Sequence, residues 1–215
     1  MFAPLLALLL GASLHGFGWL VGEQPSVSPT QSAHAPAQPE SAQPESAQRN
    51  PALWLDVPFV PQTTDGCGSA SLAMLLRYWQ RVQNQPIANQ PVAADPLAIQ
   101  RQLFSRRAHG IYASRMVDFL HRSGFAAYPF HGQWSDLAHH IALGRPLLVA
   151  LRDSGSHGPL HYVVVVGAGP SFVYLNDPAR QKMLRLDRSA FLSQWSATDD
   201  WTLLAVPQSN STAAR

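Results

Sequence analysis

The chain has 215 residues and a formal net charge of +2, with 15 Lys and Arg against 13 Asp and Glu. The one basic cluster, Arg101, Arg106 and Arg107, is short, lacks interleaved aromatics beyond Phe104 and reads as a solvated helix face, so no nucleic-acid partner is expected. The length allows one packed domain plus appendages.

Phe2 to Leu14 is an almost unbroken apolar run, and with Gly16 to Val21 it reaches bilayer-spanning length. Residues 1–21 are therefore expected to direct export to a periplasmic or extracellular site, as a cleaved signal or a retained membrane anchor. No cysteine follows before the domain, which rules out a lipoprotein anchor. Residues 22–51 are rich in Pro, Ser, Gln, Ala and Glu and include a short tandem stretch, Gln38 to Gln48. Such a composition buries too little to offset chain entropy, so a disordered linker is predicted. The folded domain is expected over residues 52–207, with a flexible tail at 208–215.

Within the domain, Leu53 to Val60 reads as extended, broken by Pro58 and Pro61. A helix is predicted from Cys67, with Leu72, Leu75, Leu76 and Trp79 at i, i+3, i+4, i+7, ending near Arg81–Asn84. A Pro-containing loop, Asn84 to Pro96, follows, and Asp95 caps a helix with Pro96 at its first position. Ser114 starts another helix, stopped by Gly124. Phe125 to Phe130 reads as a strand, Ser135 as the cap of a helix closed by Gly144, and Leu147 to Leu151 as a strand. The second half is strand-like: His161 to Val166, Phe172 to Leu175, Met183 to Leu186 and Trp201 to Val206, with a short helix at Ser189 to Trp195. Helices first and a mainly antiparallel sheet second is an α+β pattern.

The single cysteine, Cys67, cannot form an intramolecular disulfide, and an unpaired thiol in an exported protein is either inert and buried or kept for its reactivity. Gly66 and Gly68 flank it where a turn enters a helix, at the positive end of the helix dipole, which favours an anionic sulfur. Nucleophilic cysteine chemistry also needs a base and a group to orient it. His161, at the start of a strand, is the candidate base. Asp177, sixteen residues on and past a hairpin turn, is the candidate orienter. His157, in the loop Asp153–Leu160, is the closest rival histidine; His121, His139 and His140 are expected at the surface. Gln62 could add a side-chain donor for an oxyanion beside the backbone N–H of Cys67. Asp153, His157 and His161 are interrupted by Gly155, Gly158 and Pro159 and form no metal-ligand helix, and Gly167-Ala168-Gly169 lacks a dinucleotide fingerprint, so neither metal nor cofactor is expected.

Val57-Pro58-Phe59-Val60-Pro61-Gln62, Gly66 to Met74, His161 to Gly167 and Asn176-Asp177-Pro178 together resemble the bacteriocin-processing, double-glycine-leader peptidases, and more closely their exported, stand-alone relatives. Transporter-associated members carry an Asp directly before the Cys and one more residue between Gln and Cys; here Gly66 precedes Cys67. The resemblance implies a papain-like cysteine peptidase domain. In it Cys67 is the nucleophile, His161 the base, Asp177 the orienter and Gln62 the oxyanion-hole residue, acting on a peptide or protein substrate as a monomer. Two other readings stay open: a non-catalytic peptide- or partner-binding module on the same scaffold, and a thiol-dependent acyltransferase. Groove residues expected to set specificity are Tyr112, Trp134 and the loop Asp153–Leu160.

Overall fold

The computed structural model describes residues 53–84, 94–152 and 160–208. The expected export segment, the linker, most of the loop after Asn84, the loop 153–159 with His157, and residues 209–215 lie outside them.

Among the described residues seven strands form one sheet: β1 (Leu53–Trp54), β2 (Phe125–His131), β3 (Leu147–Leu151), β4 (His161–Ala168), β5 (Phe172–Asn176), β6 (Leu184–Asp187) and β7 (Trp201–Pro207). The order is β2-β7-β3-β4-β5-β6, every pair is antiparallel, and the short β1 pairs with the end of β4. The helices are α1 (Cys67–Gln83), α2 (Pro96–Leu103), α3 (Ala113–Arg122), α4 (Trp134–Ala142) and α5 (Arg188–Ser196). This is the α+β architecture expected from the pattern of elements.

Successive strand residues point to opposite faces. Leu148, Ala150, Tyr162, Val164 and Val166 pack against Leu72, Leu75 and Leu76 of α1 and Met116 and Phe119 of α3. Leu147, Val149, Leu151, Val163 and Val165 pack on the other face against Leu137 and Ile141 of α4 and Phe191 and Trp195 of α5. Because both faces are covered, β3 and β4 are apolar almost throughout. Each buried Val or Leu stabilises the fold by roughly 1.5–3 kcal/mol relative to exposure.

α1 runs over the sheet centre. Ser71 Oγ donates to the Tyr162 carbonyl at 3.0 Å, the Tyr78 hydroxyl to Gly144 O at 2.7 Å and Trp79 Nε1 to Ala205 O at 3.0 Å. The helix ends where Asn84 adopts the left-handed conformation (φ 48°). α2 begins as expected, with the Asp95 carboxylate accepting from the N–H groups of Leu97 and Ala98 and Pro96 in the first turn.

Several boundaries differ from the sequence expectation. α3 begins at Ala113, with no side-chain cap from Ser114. α4 begins at Trp134 rather than after Ser135, because the Asp136 carboxylate reaches back to the Gln133 N–H at 2.7 Å and makes Gln133 the cap. A 3-10 turn at Arg106–Ala108 holds two of the three clustered arginines, and Arg101, Arg106 and Arg107 are all exposed. His140 is half-buried rather than at the surface: burial and the neighbouring His139 and Arg145 push its pKa down.

Candidate active site

The site lies where α1 begins, against the start of β4. Gly66 ends a tight turn, its N–H donating to Thr63 O at 3.0 Å, and a Cβ there would sit 2.9 Å from that same carbonyl oxygen. A Cβ on Gly68 would meet Met116 Cε at 2.6 Å. Both glycines therefore serve close approach: Gly66 closes the turn on Thr63, and Gly68 lets the first turn of α1 press onto the sheet and α3. Cys67 is the first residue of α1 and is half-buried, with Sγ 3.9 Å from the Leu160 carbonyl oxygen just ahead of β4.

His161 opens β4 and pairs across with Leu151 at the end of β3. Its Nε2 lies 2.7 Å from Asp177 Oδ1, while its side chain is 31% exposed against 6% for the aspartate. The Asp177 carboxylate also accepts the Ala179 N–H at 2.9 Å, and the Asp177 N–H donates to Gln181 O at 3.1 Å. The turn Asn176-Asp177-Pro178 is therefore a turn and a carboxylate mount at once. Burial alone would lower the pKa of His161, but the hydrogen bonds to Asp177 and to the Cys67 sulfur outweigh it, and His161 is raised to about 9. Burial raises the Asp177 carboxyl, yet the His161 bond and charge, the Ala179 N–H and Arg180 leave it below the usual value.

Gln62 reaches the site along the extended segment between β1 and α1. That segment is tied to the sheet at three points: Leu55 N–H to Val166 O at 2.7 Å, Asn176 Nδ2 to Val57 O at 3.1 Å, and Gln62 N–H to Pro178 O at 2.9 Å. The last bond links Gln62 to the residue after Asp177. The Gln62 side-chain oxygen is buried without a hydrogen-bond partner.

All four residues singled out in the sequence thus converge on one end of β4. The specificity candidates divide. Tyr112 is exposed, and the adjacent Ile111 would lie 3.4 Å from a Cβ on Gly68, so this segment borders the site. Trp134 does not: it packs with Phe191 on the opposite face of the sheet, under the Arg188 guanidinium, and lines a cavity of about 500 Å³ with Leu53 and Pro170. A tryptophan at the first position of an amphipathic helix carries no sequence signal for which face that helix will cover. Of the loop Asp153–Leu160, Leu160 is described. Asn176, fully buried with its Nδ2 on Val57 O and its Oδ1 accepting the Met183 N–H at 3.1 Å, is a site-supporting residue that its turn-like context concealed.

A helix bearing the cysteine at its first turn, laid across an antiparallel sheet whose adjacent strands β4 and β5 bring up the histidine and aspartate, is the papain-like α+β fold. The chain belongs to the Peptidase_C39 like family, which it matches over residues 54–202. Three solved structures are similar to it. One is a protein from Bacillus anthracis described as a C39-like peptidase (16% identity, TM-score 0.58, 74% of this chain and 99% of that one). Another is the peptidase domain of Streptococcus ComA, a bifunctional ABC transporter of a quorum-sensing pathway (21%, 0.54, 70% and 98%). The third is a double-glycine-motif protease of an AMS/PCAT transporter in complex with the leader peptide (19%, 0.53, 72% and 94%). At these identities the likeness is one of fold. No curated protein matches the chain.

Proposed function

We propose that this protein is a cysteine peptidase that hydrolyses a peptide bond through Cys67, His161 and Asp177, with Gln62 in the oxyanion hole. The observation that carries the reading is the 2.7 Å bond from His161 Nε2 to the buried Asp177 carboxylate, on the strand whose preceding residue, Leu160, has its carbonyl oxygen 3.9 Å from the Cys67 sulfur. An imidazole bonded to aspartate through Nε2 has its other nitrogen free to face the thiol.

The reactive form is a thiolate beside an imidazolium. The sulfur adds to the substrate carbonyl, and the developing oxyanion is held by the backbone N–H of Cys67 and the side-chain amide of Gln62. The imidazolium gives its proton to the leaving amine as the C–N bond breaks, leaving an acyl-enzyme. His161 then takes a proton from water, which displaces the thiolate and releases the acid. Asp177 stabilises the imidazolium throughout and fixes the ring. The fold supports a peptide substrate, since one structural neighbour holds its leader peptide. The apolar run Phe2–Leu14, extended by Gly16–Val21, supports an exported peptidase.

The test is hydrolysis of a defined peptide pool by wild type and Cys67→Ala, read by mass spectrometry. The wild type should produce cleavages that the variant loses. Identical cleavage by both proteins would sink the reading.

A further inference from the structure

The proposed reaction uses one side of the cysteine and leaves Tyr162 idle. Tyr162 follows His161 on β4 and so points to the face that carries α1. Its ring Cδ2 lies 3.5 Å from where a Cβ on Gly68 would stand, against the residue next to the nucleophile. Its ring packs edge-on to Trp201 of β7, centroids 5.6 Å apart, and its carbonyl receives the Ser71 hydroxyl at 3.0 Å. These contacts fix the side chain and leave the residue 4% exposed.

The hydroxyl of so buried a tyrosine ordinarily has a protein partner. Among the described residues none bonds to the Tyr162 hydroxyl. A rigidly held phenol, packed against the residue next to Cys67, is therefore left with hydrogen-bonding capacity that no described residue uses.

The sheet order gives its side. Asp177 and the Pro178-bound Gln62 stand toward β5, whereas Trp201 stands on β7, beyond β3. In the reaction proposed above the peptide crosses the end of β4, and its leaving half is here assigned to the Asp177 side. The acyl half then crosses the side of Tyr162 and Trp201.

We infer that Tyr162 is a substrate-positioning residue, its hydroxyl donating a hydrogen bond to a backbone carbonyl of the acyl half of the bound peptide. This rests on Cys67 being the nucleophile. Burial and the nearby sulfur push the phenol up to about 12, so it remains a donor across the neutral range. A bond to backbone lets the residue act on peptides of differing sequence, and the aromatic pair with Trp201 holds the donor still.

The experiment compares wild type and Tyr162→Phe, which keeps the ring and removes the oxygen. Cys67 is the sole thiol, so alkylation can be followed by intact mass. Two probes are used: iodoacetamide, which has no acyl half, and the fastest of a panel of acetyl-dipeptidyl chloromethyl ketones, which has one. The variant should react with the chloromethyl ketone about tenfold more slowly, the loss expected for one neutral hydrogen bond, while its iodoacetamide rate stays within about twofold. Unchanged rates with both probes, or equal losses with both, would overturn the inference. A wild-type Cys67 that reacts with iodoacetamide no faster than free cysteine at pH 6 would instead overturn the nucleophile reading beneath it.

Discussion

Replacing Asp177 with Asn removes one charge from the site and keeps a hydrogen-bonding group of the same size. In the wild type His161 holds its proton to about 9 against an ordinary 6.5, a difference of roughly 3 kcal/mol in favour of the imidazolium. That figure is net of burial, which opposes it, and is shared between Asp177 and the Cys67 sulfur. Assigning about half to the aspartate places His161 of the variant roughly one to one and a half pH units lower, near 7.5–8. The assay is the pH dependence of Cys67 alkylation by iodoacetate. This anionic reagent is drawn in by the imidazolium, so its rate falls as His161 loses its proton. The alkaline limb should lie near 9 in the wild type and move down in the variant. A limb that stays within about 0.3 pH units of the wild type would refute the reasoning, because Asp177 would then contribute less than about half a kcal/mol to holding that proton.

Three further outcomes follow from the same geometry. Gln62→Ala should lower peptide turnover roughly 100- to 1,000-fold, the usual loss for one oxyanion donor, while iodoacetamide alkylation, which forms no oxyanion, proceeds at the wild-type rate. Asn176→Leu should destabilise the protein by about 2–4 kcal/mol in urea unfolding, since it strands the buried Val57 carbonyl and the Met183 N–H; a loss under about 1 kcal/mol would show that the extended segment is held some other way. Stability should also depend on His161: its folded pKa lies above its unfolded one, so the pair's contribution is fully present below about pH 6.5 and is lost as pH rises through about 9. Discounted for the 31% exposure of the side chain, that contribution is about 1–2 kcal/mol at pH 7, and Cys67→Ala/His161→Ala should unfold with a flatter dependence between pH 7 and 10.

Local signals carried much of the fold. The i, i+3, i+4, i+7 spacing of Leu72, Leu75, Leu76 and Trp79 placed α1, and Asp95-Pro96 placed the start of α2 to the residue. Where the boundaries slipped, a reciprocal side-chain bond had overridden the local preference, as at Gln133 and Asp136 ahead of α4. The site divides in a similar way. Cys67 between two glycines, and the ordered run of Gln62, Cys67, His161 and Asp177, are properties of the chain alone, because they depend on residue type and order. That Asp177 lies 2.7 Å from His161 depends on the antiparallel return of β5 alongside β4, whose register shifts between Val165 and Gly167. That Gln62 belongs to the same site depends on one backbone bond to Pro178. The unbroken apolar runs of β3 and β4 show that the sheet has two buried faces, but nothing local says which helix covers which. Trp134 therefore reads as a groove residue until α4 is seen packed on the far side, and Tyr162 reads only as core until its ring is found against Gly68, the residue after the cysteine. The sequence by itself determined the chemical parts and their order. The tertiary structure decided which sides of the sheet they share, because strand pairing and layer packing are set by contacts between residues far apart in the chain.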